Sequence, residues 1–302
     1  MNRGRMAIRV RVPASVANFG PAFDALAVAV ALHSVFTVDA ATRPVVEVEG
    51  EGSRLVPSDA RNLAYRAAAA VAERTGRPQA FAIHCHNGIP PSRGLGSSAA
   101  AIVGGVFAAN TLLGEPLPPA ALLEIAADIE GHPDNVAAAL FGGAVVLARD
   151  GAQTAWTRFL PAWDADIVLA IPDYTVPTEH ARRVLADRVP RRDAVTNVGR
   201  TGLLVAAMLT GRLDVLETAM ADALHQPYRA TLNPGMMEVI TAARRAGAFG
   251  SALSGSGPTI VAVCPPQKAD AVGAAMVRAF ADAGQSARSV RVDVDRYGAA
   301  VM

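Results

Sequence analysis

Pro90-Pro91-Ser92-Arg93-Gly94-Leu95-Gly96-Ser97-Ser98-Ala99-Ala100 holds the residue types that cradle a phosphate. Two prolines stiffen its entry, Gly94 and Gly96 free the backbone, and the serine pair opens a run of helix formers. The first N–H groups of a helix lack backbone partners and sit at the positive end of its dipole, so several can converge on an anion. The loop is neither of the two commonest phosphate motifs: no Lys follows Gly96, and Ala99 stands where a dinucleotide loop has its third glycine. Taken locally, a serine-capped turn before an alanine-rich helix accounts for it equally well. Two other patterns are weaker. His84 and His86 share one face of a strand without a third ligand at short spacing, and Asp164 and Asp166 form a same-face pair that a solvated strand start explains.

The elements that must position this loop can be read from periodicity and breakers. Alternation over 8–12 predicts a strand stopped by Pro13, and the polar, glycine-containing stretch up to Asp24 reads as a loop. Strands are expected at 25–32, 34–40 and 45–50, a helix at 61–75 before Gly76, and a strand at 80–86 feeding the loop. Helices at 98–113 and 120–130 follow, the second ending in Gly131-His132-Pro133-Asp134-Asn135, and then a strand at 144–148. From Phe159 the pattern starts afresh. It gives strands at 166–171, 259–263 and 289–294 and helices at 178–185, 195–209, 213–224, 235–246 and 268–284, with a second glycine-serine loop at 250–258. Strands and helices without regular alternation indicate an α+β protein, divided at 1–158 and 159–302.

Half of the 302 residues are hydrophobic and fewer than a fifth are charged, so a sizeable core is available. Net charge is +1, which gives no reason to expect nucleic acid or an anionic membrane as partner. Arg3 and Arg5 precede a strand pattern instead of an apolar signal core, and no apolar run is long enough to span a bilayer. Two cysteines, Cys85 and Cys264, are too few for a disulfide scaffold, and a reducing cytoplasm is the simplest setting.

The loop 90–101 resembles the ATP loop of the GHMP small-molecule kinases. Pro13–Asp24 and Ser251–Pro258 are similar to the family's N-terminal and C-terminal motifs, in the right order, so the resemblance covers nearly the whole chain. Glu130-Gly131-His132-Pro133-Asp134-Asn135-Val136-Ala137 followed by Gly142-Gly143 most resembles the homoserine kinases within it. Thr178–Arg182, Asp193–Asn197 and His225–Arg229 support the same match. The resemblance implies a two-part GHMP fold, with an N-terminal ATP-binding half like the second domain of ribosomal protein S5. The C-terminal half is then a ferredoxin-like sandwich.

It also implies ATP and Mg²⁺ as cofactors and L-homoserine as the phosphate acceptor. Pro90, Pro91, Ser92, Arg93, Gly94, Leu95, Gly96, Ser97, Ser98, Ala99 and Ala100 then form the nucleotide loop. Asn62 either caps its helix or reaches the adenine. Mg²⁺ keeps most of its water and takes one or two protein oxygens, which the resemblance places at Glu130 and Ser98. Arg182 and Arg229 fall at the family's substrate positions, where guanidinium forks suit a carboxylate. Asp24 offers charge to the ammonium, and Asn18, Thr178 and Asn135 complete the acceptor site. Catalytic roles are expected for Asn135, Ser98, Glu130 and Arg182. A homodimer is compatible with the resemblance.

At Asn135 some relatives carry an aspartate base, and an amide cannot take that role. Transfer is therefore expected to pass the hydroxyl proton to a phosphate oxygen or water, with His132 and Asp134 adjacent as alternatives. Ala22 and Ala27 replace usual glycines, Val16 a small polar residue and Ala138 a frequent proline. An extra methyl at Ala22 is expected to tighten the acceptor pocket.

Overall fold

The computed structural model describes residues 7–151 and 153–302; Arg3 and Arg5 lie outside them. The first strand, β1 (Ile8–Ala17), does not stop at Pro13 as expected. Its pairing with β2 (Leu26–Ala41) slips between Pro13 and Ala14, an irregularity that accommodates the missing proline N–H. Val10, Val12, Ala14 and Val16 point inward throughout and are fully buried. The two strands expected at 25–32 and 34–40 are one continuous β2.

β3 (Val45–Gly50) runs parallel to β4 (Ala80–Asn87), the helix α1 (Leu63–Arg74) crossing between them. β4 leads through the glycine loop into α2 (Ser97–Leu112), which packs on α1, β1 and β2. Then come α3 (Pro119–Glu130) and α4 (Asp134–Phe141). The sequence reading ended α3 at Gly131–Asn135 and assigned no helix to α4, because Gly131 and Pro133 read as breakers. Pro133 at the cap and Asp134 in the first turn are in fact start signals. β5 (Ala144–Asp150) pairs with β6 (Gln153–Phe159), which was not expected.

The second half starts with β7 (Asp166–Pro172), α5 (Thr178–Arg183) and α6 (Arg191–Thr210). A 3₁₀ turn (Leu213–Val215) and the short α7 (Leu216–Ala219) occupy only the first part of the helix expected at 213–224, and α8 (Gln226–Arg229) was missed. α9 (Met236–Arg245), β8 (Gly250–Leu253), β9 (Ile260–Cys264), α10 (Ala269–Asp282) and β10 (Ala287–Val292) follow. The chain ends in a two-residue strand, β11 (Ala300–Val301).

Among the described residues the strands form two sheets. The four-stranded one, β10-β7-β9-β8, is antiparallel throughout and has the strand order of a ferredoxin-like sandwich, with α9 and α10 on β8, β9, β7 and β10. The seven-stranded one contains β11-β1-β2-β4-β3, with β5 on β2 and β6 on β5. This is the α+β, two-part architecture expected. Beyond β10 the chain returns to the first sheet, where Val294 bridges Val30 and β11 pairs with β1.

Among the described residues, no helix is long and apolar enough to cross a membrane. Both cysteines are buried and free. Burial pushes the Cys85 thiol up to about 12 and the Cys264 thiol up to about 11, so neither is a thiolate at neutral pH. His84 and His86 lie 3.4 and 2.9 Å from Glu49 on the exposed side of the first sheet. Asp166 pairs with Arg291 at 2.6 Å. No group of three His, Cys, Asp or Glu side chains able to hold a metal occurs among the described residues.

Candidate active site

The glycine loop turns into α2 through two left-handed residues, Gly94 (φ 71°) and Gly96 (φ 68°), the latter capping the helix. Neither tolerates a side chain. A Cβ on Gly94 would overlap the Ser254 carbonyl, and one on Gly96 would overlap Ser15 Oγ and come within 3.1 Å of Asn135 Oδ1. Ser254 Oγ donates to the Gly94 carbonyl at 2.5 Å, so the two glycine-serine loops of the sequence touch. Arg93 fastens the loop to the second half through the carbonyls of Pro172 (2.9 Å) and Asp173 (2.6 Å).

Pro91, Ser92, Arg93, Gly94, Leu95, Gly96, Ser97 and Ser98 all line one cleft. Pro90, Ala99 and Ala100 do not. They are buried beneath it, where they set the backbone. Ser97 donates to the Ile89 carbonyl and so ties the start of α2 to the strand side. Asn62 also lines the cleft, but its side chain caps α1 by accepting from Ala64 N at 2.9 Å and donates to the Pro57 carbonyl at 2.8 Å. The capping role is thereby visible.

Across from the loop lies the acidic corner between α3 and α4. Ser98 Oγ donates to Glu130 Oε1 at 2.6 Å. Burial raises the Glu130 carboxyl above its usual range, against the Ser98 hydrogen bond and nearby His132, so the site withholds solvation that a cation would replace. His132 has Nδ1 2.9 Å from Asp134 Oδ1 and Nε2 3.9 Å from Glu130. Burial opposes its charged form, but Asp134 and Glu130 outweigh that and raise its pKa. Asn135, one residue into α4, accepts from Ser15 Oγ at 2.8 Å. That bond fixes the amide oxygen and leaves the NH₂ to donate.

The other end of the cleft is cationic. Arg182 on α5 forms a bidentate pair with Asp24, both bonds 2.9 Å. The sequence reading sent these two side chains to opposite ends of a substrate, whereas here they meet each other. Three of the five guanidinium N–H donors of Arg182 remain for another acceptor. Arg229 on α8 is only 2% exposed, an unusual depth for a charge. Its Nε and Nη1 donate to the carbonyls of Ala181 (3.1 Å) and Gly255 (2.9 Å), and among the described residues no carboxylate lies within ion-pair distance. Burial, then repulsion from Arg182, pushes its pKa down to about 10, so it stays charged at neutral pH in a place that favours an anion.

Asn18 donates to the same Gly255 carbonyl at 3.1 Å and accepts from Asp24 N at 3.1 Å. Thr178 Oγ1 is 3.4 Å from Ser256 Oγ at the rim. Asn18, Phe19 and Asp24 all have positive φ, strain held by the surrounding contacts. Ala22 does not line the cleft and has no positive φ, so its methyl does not tighten the pocket. Ala27, Ala138 and Val16 are likewise buried behind it.

Several supporting residues escaped sequence reasoning. Ser15 holds Asn135, Ser254 holds Gly94, and Asp222 accepts from Asn197 Nδ2 and the backbone N–H groups of Leu224, His225 and Gln226 to shape the entry to α8. Asp222 sits three residues before His225, where a capping pattern would have exposed it.

The family model for the GHMP kinases N terminal domain matches residues 62–143, and that for the GHMP kinases C terminal matches 204–282. The chain is 46% identical to a homoserine kinase of Moorella thermoacetica over 97% of its length and 99% of the relative's. It is 43% identical to one of Synechococcus sp. over 94% of each chain. A crystal structure of homoserine kinase from Cytophaga hutchinsonii superposes with a TM-score of 0.90 at 31% identity, covering 98% of this chain and 97% of that one. A mevalonate kinase of L. major shares the fold at 17% identity, TM-score 0.71, over 95% of each. This chain belongs to the homoserine kinase family of the GHMP kinases.

Proposed function

We propose that the protein transfers the γ-phosphoryl group of ATP to the side-chain hydroxyl of L-homoserine, giving O-phospho-L-homoserine for threonine biosynthesis. One observation carries this reading. A phosphate-type glycine loop at a helix N-terminus and a buried, carboxylate-free Arg229 face a single cleft. The first suits an anionic donor, and the second suits an acceptor bearing its own carboxylate. The halves 1–158 and 159–302 supply donor and acceptor sides respectively, except that Asn18, Asp24 and Asn135 cross over to the acceptor side.

Phosphoryl transfer needs alignment and charge neutralisation more than covalent help. Backbone N–H groups of the loop and the start of α2, with the Ser98 hydroxyl, hold the triphosphate. Glu130 and Ser98 fit a divalent cation: they are 2.6 Å apart, next to the loop, and the carboxylate is starved of solvation. With no third carboxylate joining them, Mg²⁺ would complete its shell with phosphate and water oxygens. When bound, that ion neutralises charge developing on the phosphates.

At the acceptor end, Arg229 and the free donors of Arg182 hold the carboxylate, and Asp24 with Asn18 meets the ammonium. Asn135, locked by Ser15, orients the hydroxyl without taking its proton, which leaves on a phosphate oxygen or water. A cytoplasmic setting agrees with the two buried thiols.

An ADP-coupled assay over L-homoserine, L-threonine, mevalonate, shikimate and galactose tests the proposal. L-Homoserine should have the highest kcat/KM, with activity abolished by chelation and restored by Mg²⁺. A higher value for any other alcohol would reject the substrate.

A further inference from the structure

Two guanidinium groups aimed at one carboxylate repel each other, and Asp24 pairs with only one of them. The Ala181 and Gly255 carbonyls hold Arg229 from its own side, and one further group lies against both guanidinium ions. Phe23, the residue before Asp24, has Arg182 Cζ over its ring at 5.6 Å from the centroid and Arg229 Cζ at 5.3 Å. Both lie within the range over which the negative face of an aromatic ring attracts a cation. The His225 ring packs beside it, with centroids 5.4 Å apart at an interplanar angle of 32°.

His225 is fully buried and doubly engaged. Its Nε2 lies 2.7 Å from the Gly20 carbonyl, which can only accept, so the proton is on Nε2 and Nδ1 accepts from Arg229 Nη1 at 3.3 Å. Phe23 and Gly20 belong to the same short loop. One loop thus holds Arg182 through Asp24, holds Arg229 through His225, and places a ring beneath both cations. Phe23 itself is not among the residues that line the cleft.

We propose that Phe23 is a positioning residue for carboxylate recognition: its ring is the shared seat that fixes the separation of the Arg182 and Arg229 guanidinium groups, with His225 beside it holding Arg229. This rests on the reading above, that the two arginines bind the acceptor's carboxylate. The role belongs to the aromatic face and not to apolar volume alone, and it should be felt only by an acceptor whose carboxyl group is charged.

Phe23→Met keeps apolar bulk and removes the ring, while Phe23→Tyr keeps the ring. Steady-state kinetics with L-homoserine and with L-homoserine amide, which lacks the negative charge, separate the possibilities. Phe23→Met should raise KM for L-homoserine about tenfold, with kcat, KM for ATP and KM for the amide each changed less than about twofold. Phe23→Tyr should restore KM for L-homoserine to within about threefold of the parent. Phe23→Leu provides the same comparison if the Met variant does not fold, with circular dichroism and melting temperature verifying integrity.

Equal losses on homoserine and amide, or unchanged KM in the ring-free variants, would overturn the positioning role. Arg229→Ala distinguishes failure of the underlying reading. If that variant leaves KM for L-homoserine unchanged, the arginine pair does not bind the carboxylate and the proposal falls with it. If Arg229→Ala raises KM while the ring-free variants do not, only the seat is rejected.

Discussion

Glu130 combines burial, a serine hydroxyl at 2.6 Å and a raised pKa, which together make it costly unless a cation is at hand. Glu130→Gln should lower kcat by about 10²–10³ and raise the Mg²⁺ concentration needed for half-maximal rate, because a preorganised charge partner is lost. Mg²⁺ titrations of initial rate check this, and an unshifted titration would remove Glu130 from the metal. His132 is a different case. Its Nδ1 is engaged by Asp134 and its Nε2 lies 3.9 Å from Glu130, so both ring nitrogens have acidic neighbours other than the acceptor hydroxyl. His132→Gln should reduce kcat by no more than about tenfold, whereas a positioned general base is worth about 10²–10⁴. A loss in that upper range with KM intact would reinstate a base. At this scale the sequence exposed the residues that carry charge or glycine freedom, since their types are unusual in motif order. Ser15, Phe23 and His225 fell inside matched motif stretches, but their roles stayed hidden. Their types are ordinary, and only the fold brings Ser15 to Asn135, 120 positions away.

α2 shows how an element converts local sequence into a site. Its cap is a left-handed glycine, its first turn has no acidic residue, and Ser15 and Asn135 crowd the cap from two other elements. Gly96→Ala imposes a strained φ of 68° and a steric overlap with Ser15 Oγ. It should destabilise the protein by about 1–3 kcal/mol and weaken ATP binding, because relief of the overlap moves the donors at the helix start. A melting curve and nucleotide titration measure both effects. Unchanged ATP affinity in a folded variant would show that the loop's geometry is not what binds phosphate. α1, α2, α3 and β4 were legible from periodicity and caps. The misses have physical causes. β6 alternates weakly and is specified by pairing with β5, β11 is only two residues long, and α4 starts with residues that also stop helices. The helix expected at 213–224 is cut short because Asp222 bonds backbone N–H groups beyond it and turns the chain into α8.

At the scale of the whole molecule, the chain after β10 ties the two sheets together. Asp293 and Asp295 exchange backbone hydrogen bonds with Ala31 and Ala29 of β2, and the Asp295 carbonyl accepts from Gly143 N just beyond α4. The Asp295 side chain anchors this return. Its Oδ1 accepts from Tyr297 N and Gly298 N at 2.9 and 2.8 Å, and Oδ2 lies 2.7 Å from His33 Nε2. Burial opposes its charge, but the His33 bond and the two backbone N–H groups prevail and hold its pKa below the ordinary range. A carboxyl depressed in the folded state stabilises fully above its unfolded value, near 4, and that contribution fades as pH falls through the lower folded value. Asp295→Asn should therefore cost about 1.5–3 kcal/mol at pH 7, the worth of hydrogen bonds to a charged group. The deficit should stay constant down to about pH 5 and shrink below about pH 4. Urea midpoints measured in parallel across pH 7 to 3 give the comparison, and a deficit that persists undiminished at pH 3 would show that the carboxylate charge is not the anchor. Because Asp295 does not line the cleft, KM for both substrates should be unchanged in the folded variant. Anchoring and chemistry are carried by separate groups, joined only through the β2 and α4 backbone that places Asn135.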